Sequence, residues 1–100
     1  MTTKLNAFFA GFIKIHILYH ASRRPVFGLE MIKELARHGY EISPGTLYPA
    51  LHSLEREGLL TAEQKLAGGK IRKYYTATPA GREMLAQIRV KLKELVEEVL

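Results

Sequence analysis

Hydrophobic residues recur along this chain at two periods, and the changes between them mark out the elements. The most sharply bounded stretch is residues 43–58, where Leu47, Leu51 and Leu54 follow helical spacing and form a narrow apolar stripe. Ser43 is suited to cap that helix, because its hydroxyl can accept a bond from an unpaired N–H of the first turn. Pro44 falls at the first helical position, where a missing N–H costs nothing. Gly58 supplies a left-handed stop. The opposite face carries Gly45, Pro49, His52, Ser53 and Arg56, with Thr46 and Tyr48 at its flanks. Solvent-facing helices more often carry Glu and Lys there, so this pattern predicts a short helix that presents a shaped face to a partner. Pro49 lies inside the helix but near its first turn, which limits the hydrogen-bond loss.

Upstream, a first helix is predicted from a cap at Asn6 through Ala7 to Tyr19. It is apolar nearly all round, so one subunit cannot bury all of it and one side is expected to meet another. It is too short for a comfortable membrane span and carries Lys14 midway, and no cleavage site follows that would mark a signal peptide. A basic connector, Ala21-Ser22-Arg23-Arg24-Pro25, leads into a second helix from Val26 or Gly28 to His38. Its expected inner face is Leu29, Ile32, Leu35 and Ala36, its start lacks a good cap, and Gly39 ends it. Ile42 is placed to plug the core ahead of Ser43. Two helices joined by such a short turn predict a helix-turn-helix.

After Gly58 the period becomes two. Leu60, Ala62, Gln64 and Leu66 share one side of a strand, Ala67-Gly68-Gly69 is a turn, and Lys70–Ala77 returns. Alternation places Ile71, Lys73, Tyr75 and Ala77 inward, with Lys73 at the rim, and Lys70, Arg72, Tyr74 and Thr76 outward. A basic hairpin directly after a helix-turn-helix is a wing. Thr78-Pro79 then repeats the hydroxyl-then-proline opening, and Leu85, Ile88, Leu92, Leu95 and Val99 form a heptad seam, widened by Met84 and Val96. Fewer than three heptads predict a helix that packs on a partner subunit, against the over-hydrophobic first helix. Phe8, Phe9, Phe12, Leu85, Ile88, Leu92, Leu95 and Val99 are therefore the expected homodimer interface.

The expected fold class is mainly α with a small β-hairpin: a winged helix-turn-helix plus N- and C-terminal dimerisation helices. It occupies residues 1–100 as one domain, with the winged part over 6–78 and the last helix over 79–100. Composition adds a partner class. The 100 residues carry a net charge of +5, and all 10 acids are Glu. No acid precedes Glu30 and none lies between Glu63 and Glu83, so the basic excess gathers where nucleic acid or another anionic surface could meet it. The absence of cysteine excludes disulfides, thiolate metal sites and a cysteine nucleophile, and fits a cytoplasmic location.

Little else in the chain carries chemistry. His16 and His20 have the i, i+4 spacing of a two-ligand metal face, but no third ligand lies nearby in sequence, so core or interface histidines are expected and no metal or other cofactor is assigned. No nucleophile–base pair and no phosphate-binding glycine loop appears, so the chain is not expected to be an enzyme.

The run Ser43-Pro-Gly-Thr-Leu-Tyr-Pro-Ala-Leu-His-Ser-Leu-Glu-Arg-Glu-Gly58-Leu59-Leu60 resembles the signature of PadR-type transcriptional regulators. Gly69-Lys-Ile-Arg-Lys-Tyr-Tyr75 resembles that family's wing, and Thr78-Pro-Ala-Gly81 the entry to its last helix. The resemblance covers roughly residues 8–90. It implies a winged-helix repressor that dimerises through its terminal helices and binds double-stranded DNA at a palindromic operator. It also implies release by a small-molecule effector, as in many members. Two features depart from the pattern. Phe27-Gly28-Leu29-Glu30 stands where the family often has His-Gly-Tyr-Glu, and the C-terminal part is expected to be a single helix, as in short members, in place of the larger effector-binding domain of longer ones. The tryptophan that some single-helix members use to hold aromatic compounds is also missing.

On the DNA reading, the central helix enters the major groove with Thr46, Pro49, His52 and Ser53 towards base edges and Ser43 and Tyr48 towards phosphates. Lys70, Arg72, Lys73 and Tyr74 of the wing are the remaining candidates, with the cations neutralising phosphate. Arg23 and Arg24 are weaker candidates. The rival reading is a winged-helix module that binds proteins without touching DNA, since this fold serves both purposes. RNA binding would prefer exposed aromatics on a broader sheet face.

Overall fold

A computed structural model describes the backbone of residues 3–100 and the side chains of residues 7–100. Four helices and one hairpin follow in the order α1 (Thr3–Arg23), α2 (Gly28–Arg37), α3 (Pro44–Arg56), β1 (Leu60–Ala67), β2 (Lys70–Ala77) and α4 (Pro79–Val99). The expected fold class is the observed one. Helix α1 is longer than its apolar run. It begins at Thr3, so Asn6 lies within it and not at its start, and it ends at Arg23, taking in three of the five residues of the expected connector.

The core is built where α1, α2, α3 and the root of the hairpin meet. Ile13, Ile17, Leu18 and Ala21 of α1 pack with Leu47, Leu51 and Leu54 of α3, with Leu60 of β1 and with Tyr75 of β2. The three α3 leucines are fully or almost fully buried, each contributing about 1.5–3 kcal/mol of transfer free energy. The inner face of α2 overlaps the expected one, with Leu35 buried and Ile32 packed against the core, but is turned towards Met31. Met31 and Leu35 are buried, whereas Leu29 is exposed and Ala36 lies on the surface. Both faces satisfy a 3.6-residue period in so short a helix, and the approach of α3 selects between them.

The hairpin pairs antiparallel in the register Leu60↔Ala77, Ala62↔Tyr75, Gln64↔Lys73 and Leu66↔Ile71, which shares one face as the alternation predicts. Gly68 and Gly69, at φ 57° and 77°, make the tight turn. Burial fades along the ribbon. Tyr75 and Ala77 are buried at the root, while Leu66 and Ile71 stand exposed at the tip. An isolated bridge adds to this two-stranded sheet at its root. Val26 exchanges both backbone hydrogen bonds with Tyr75, at 2.9 and 2.7 Å. Val26 is thus a bridge residue and not the start of α2, which opens at Gly28 without a side-chain cap.

Two helix entries differ in an instructive way. At α4, Thr78 accepts from the N–H of Gly81 at 3.0 Å and donates its hydroxyl to the Gly58 carbonyl at 2.6 Å, tying the helix start to the stop of α3. At α3, Ser43 has the extended backbone of a cap and its carbonyl accepts from Thr46 and Leu47, but its hydroxyl makes no cap bond. The expected side-chain cap is therefore absent, and Pro44 with the backbone bonds starts the helix. Beyond Leu85, α4 buries little. Ile88 and Leu92 are half-buried, and Leu95, Val96 and Val99 are exposed.

Candidate nucleic-acid interface

The leucine stripe of α3 faces the core, and this fixes what the helix shows outside. Ser43, Gly45, Thr46, Pro49, His52 and Arg56 are all exposed. Tyr48 lies at the edge of that face. Its ring and hydroxyl rest over Gly28 at the first turn of α2, where a side chain carbon would collide with them. Ser53 is the exception among the expected residues. It is half-buried, and Lys14 of α1 donates to its hydroxyl at 3.4 Å. Thr46, Pro49 and His52 are the members of the predicted set that project freely.

The wing candidates divide between the two faces of the ribbon. Arg72 and Tyr74 point to the outer face and converge on Phe27, which the sequence marks as a departure from the family pattern but not as part of the wing. The Arg72 guanidinium lies 4.4 Å from the Phe27 ring centroid, and the Tyr74 ring meets Phe27 edge-on at 5.5 Å. Phe27 reaches that face because Val26, its neighbour, pairs with Tyr75 and points inward; no local pattern in the sequence signals this. Lys73 points the other way, towards α3, where it pairs with Glu55 at 3.5 Å and lies 5.4 Å from the Tyr75 ring centroid. The aromatic oxygen of Tyr75 and then Glu55 raise the Lys73 pKa, while partial burial opposes them. Lys70 is exposed at the tip beside the Gly68-Gly69 turn. Of the two connector arginines, Arg24 is engaged by Glu30 at 2.9 Å, and Arg23 lies over the Tyr19 ring.

A helix with a free polar face, entered through a short turn from a preceding helix and followed by a basic β-ribbon, has the geometry to place one element in a DNA groove and another along the backbone. The sequence matches the transcriptional regulator PadR-like family over residues 17–87, which takes in the end of α1, α2, α3, the whole hairpin and the start of α4. The chain belongs to the PadR-like family of transcriptional regulators.

Relatives agree with this placement. The chain is 52% identical over 88 residues to the transcriptional regulator Rv3488 of Mycobacterium tuberculosis, covering 88% of this chain and 82% of that protein. It is 34% identical over 91 residues to the transcriptional regulator YqjI of Escherichia coli, but spans only 42% of it. Among solved structures, a PadR family regulator from Eggerthella lenta superposes with a TM-score of 0.83 at 33% identity, covering 97% of this chain and 86% of that one. A PadR-like regulator from Bacillus cereus gives 0.83 at 31% identity, covering 91% and 90%. PadR-like proteins act in DNA-binding regulation, and α2, α3 and the hairpin are the helix-turn-helix and wing of a winged helix. The family and these relatives are regulators and not enzymes.

A second constellation lies away from that face, on the side of α1 that looks towards α2 and α4. His16 and His20 of α1 are joined by His38 at the end of α2, with ring nitrogens of all three within 4.8 Å of one another. The His16 and His38 rings lie 4.7 Å apart, and Tyr40 meets His16 edge-on. Glu34 sits among them, its Oε2 3.2 Å from His38 Nε2 and 3.9 Å from His20 Nε2. Burial, then the neighbouring His38 and His20, hold the His16 imidazole below its ordinary pKa, against the pull of Glu34. Partial desolvation works against ionisation of Glu34, but Arg37, His20 and His38 outweigh it and hold the carboxyl below its usual range. These groups border a cavity of about 560 Å³ also lined by Phe12, Ile15, Tyr19, Leu85, Arg89 and Leu92. The spacing of His16 and His20 was legible in the sequence; the third imidazole, eighteen residues further on, was not.

Proposed function

We propose that the protein is a homodimeric repressor that binds a palindromic operator in double-stranded DNA, the two copies of α3 entering successive major grooves and the wings bracing the flanking backbone. The observation that carries the reading is the free face of α3. It offers a hydroxyl at Thr46, an imidazole at His52 and the apolar ring of Pro49, all three exposed. Such groups can read base edges, whereas the cations at Lys70, Arg72 and Lys73 supply charge without sequence information. A protein-binding module would not need a basic ribbon beside that face.

Dimerisation is supported by what α1 and α4 leave uncovered. Phe8 is 78% exposed, Leu95 49% and Val99 62%, Phe12 is exposed as well, and Ile88 and Leu92 are only half-buried, so both helices leave apolar side chains uncovered. Phe9 is half-buried against Tyr40, and Leu85 is buried within the subunit, so these two anchor the seam more than they extend it. Residues 6–78 then act as the reading head and 79–100 as the dimerisation helix. No described helix is long and apolar enough to cross a membrane, and a cytoplasmic regulator released by an effector is the setting that fits. Footprinting the purified protein on the DNA upstream of its own gene tests the proposal. Protection of two half-sites about one helical turn apart is expected. Equal affinity for operator and random duplex would overturn it.

A further inference from the structure

We propose that His16, His20, His38 and Glu34 form a binding site for a borderline divalent transition-metal ion, and that this ion is the regulator's effector. The effector role rests on the DNA-binding reading above; the site itself does not.

The donor set decides the class of ion. Three imidazoles and one carboxylate suit Zn²⁺, Co²⁺, Ni²⁺ or Cu²⁺, whereas Ca²⁺ and Mg²⁺ take oxygen ligands and Cu⁺ favours thiolates, which this chain cannot offer. The geometry is close to what such an ion needs. Ligand atoms around a tetrahedral centre with metal–nitrogen bonds of about 2.0–2.1 Å lie roughly 3.4 Å apart. Glu34 Oε2 and His38 Nε2 already stand 3.2 Å apart, and the imidazole nitrogens lie within 4.8 Å, a gap that small side-chain rotations close.

The outer shell is also in place. Arg37 binds the second oxygen of Glu34 at 3.2 Å, which aims Oε2 at the imidazoles. Outer partners of this kind orient metal ligands and tune their affinity. Tyr40, Phe12 and Tyr19 border the cluster with aromatic rings, leaving the cavity mouth as the entry path.

Position supplies the coupling. Two ligands belong to α1, which carries the exposed apolar surface, and the other two are Glu34 of α2 and His38 at its C-cap, from which Tyr40-Glu41-Ile42 leads into Ser43 and the recognition helix. An ion held by all four clamps the turn of the helix-turn-helix to the helix that carries the dimer surface. Leu85, Arg89 and Leu92 of α4 line the same cavity, so the ion also sits beside the seam. Binding therefore changes how two reading heads are spaced, and with it operator affinity.

The test uses the full chain, stripped with chelator and titrated with Co²⁺ and then Zn²⁺. One Co²⁺ per chain is expected, with the visible absorption of a four- or five-coordinate nitrogen-rich site, bleached by Zn²⁺. His20→Ala and His38→Ala should each weaken binding by at least ten-fold, the range seen when ligand shells are broken. His38 is exposed, so its loss leaves the core intact, and circular dichroism checks the fold. Saturating Zn²⁺ should change operator affinity by about 5–150-fold, and operator DNA should change Zn²⁺ affinity by the same factor. Absence of Co²⁺ binding, or binding unchanged in both variants, overturns the site. Binding with unchanged operator affinity overturns the effector role. Failure of both the stripped and the loaded protein to select an operator would instead overturn the DNA reading, and leaves the Co²⁺ result standing on its own.

Discussion

Tyr48 of the recognition helix lies across Gly28 at the first turn of the preceding helix, so close that a methyl group at Gly28 would occupy the space of its phenol. The contact ties the edge of the exposed face of α3 to the start of α2. Gly28 has no positive φ; its need for glycine is steric.

Gly28→Ala should therefore displace Tyr48 and weaken operator binding while the leucine core of α3 holds the fold. Adding Tyr48→Ala should remove the collision. The two substitutions should couple by about 0.5–3 kcal/mol in stability, as residues in contact do. Thermal unfolding of the single and double variants, with binding isotherms for each, measures both effects. Strict additivity would show that Tyr48 does not rest on Gly28.

The entry of α4 should be far less tolerant. A Cβ at Gly81 would strike the backbone carbonyl of Leu59, which cannot swing away as a side chain can. Gly81→Ala should cost about 1–3 kcal/mol, in the range of overpacked sites. Thr78→Val removes both the cap to Gly81 and the bond to Gly58, and should cost about 0.5–2 kcal/mol. Urea denaturation checks both. A Thr78 variant as stable as the parent would mean that Pro79 alone starts the helix.

Helix and wing should separate in a salt titration. Lys70→Ala at the exposed tip should weaken all duplexes about equally and lower the log–log salt slope by roughly one. Thr46→Ala or His52→Ala should cost about 1–3 kcal/mol on the operator and leave the slope nearly unchanged. Arg72→Ala should behave like Lys70→Ala on DNA and also lose about 0.5–1 kcal/mol of stability, because its guanidinium covers Phe27. If helix variants were silent and Lys70→Ala abolished operator selection, the division between reading helix and bracing wing would be wrong.

The terminal helices can be tested by charge. Leu92→Glu with Leu95→Glu places two carboxylates on the half-buried and exposed part of the α4 seam. Sedimentation at micromolar concentration should show a dimer for the parent and a weak monomer or unfolded chain for the variant, since obligate dimers seldom have a stable free subunit. A monomeric parent would rule the interface out.

What the sequence determined by itself was local. Pro44, Gly58, Thr78-Pro79 and Gly68-Gly69 set the bounds of α3, the start of α4 and the turn of the wing, because backbone sterics and capping act within a few residues. The three α3 leucines and the alternation of β2 placed the core face of each element for the same reason. Tertiary structure decided whatever depended on distant partners. In α2 the period allowed either Leu29 or Met31 to face inward, and packing on α3 chose Met31. The Ser43 hydroxyl was free to cap its helix and does not, while backbone bonds and Pro44 suffice. Alternation put Arg72 and Tyr74 on one face of the wing, but Phe27 joined them only because Val26 pairs with Tyr75. His16 and His20 announced half of a ligand set by their spacing, but His38 and Glu34 joined them only because α2 folds back across α1. Periodicity records which side of an element is apolar; it carries no information about which other element will lie there.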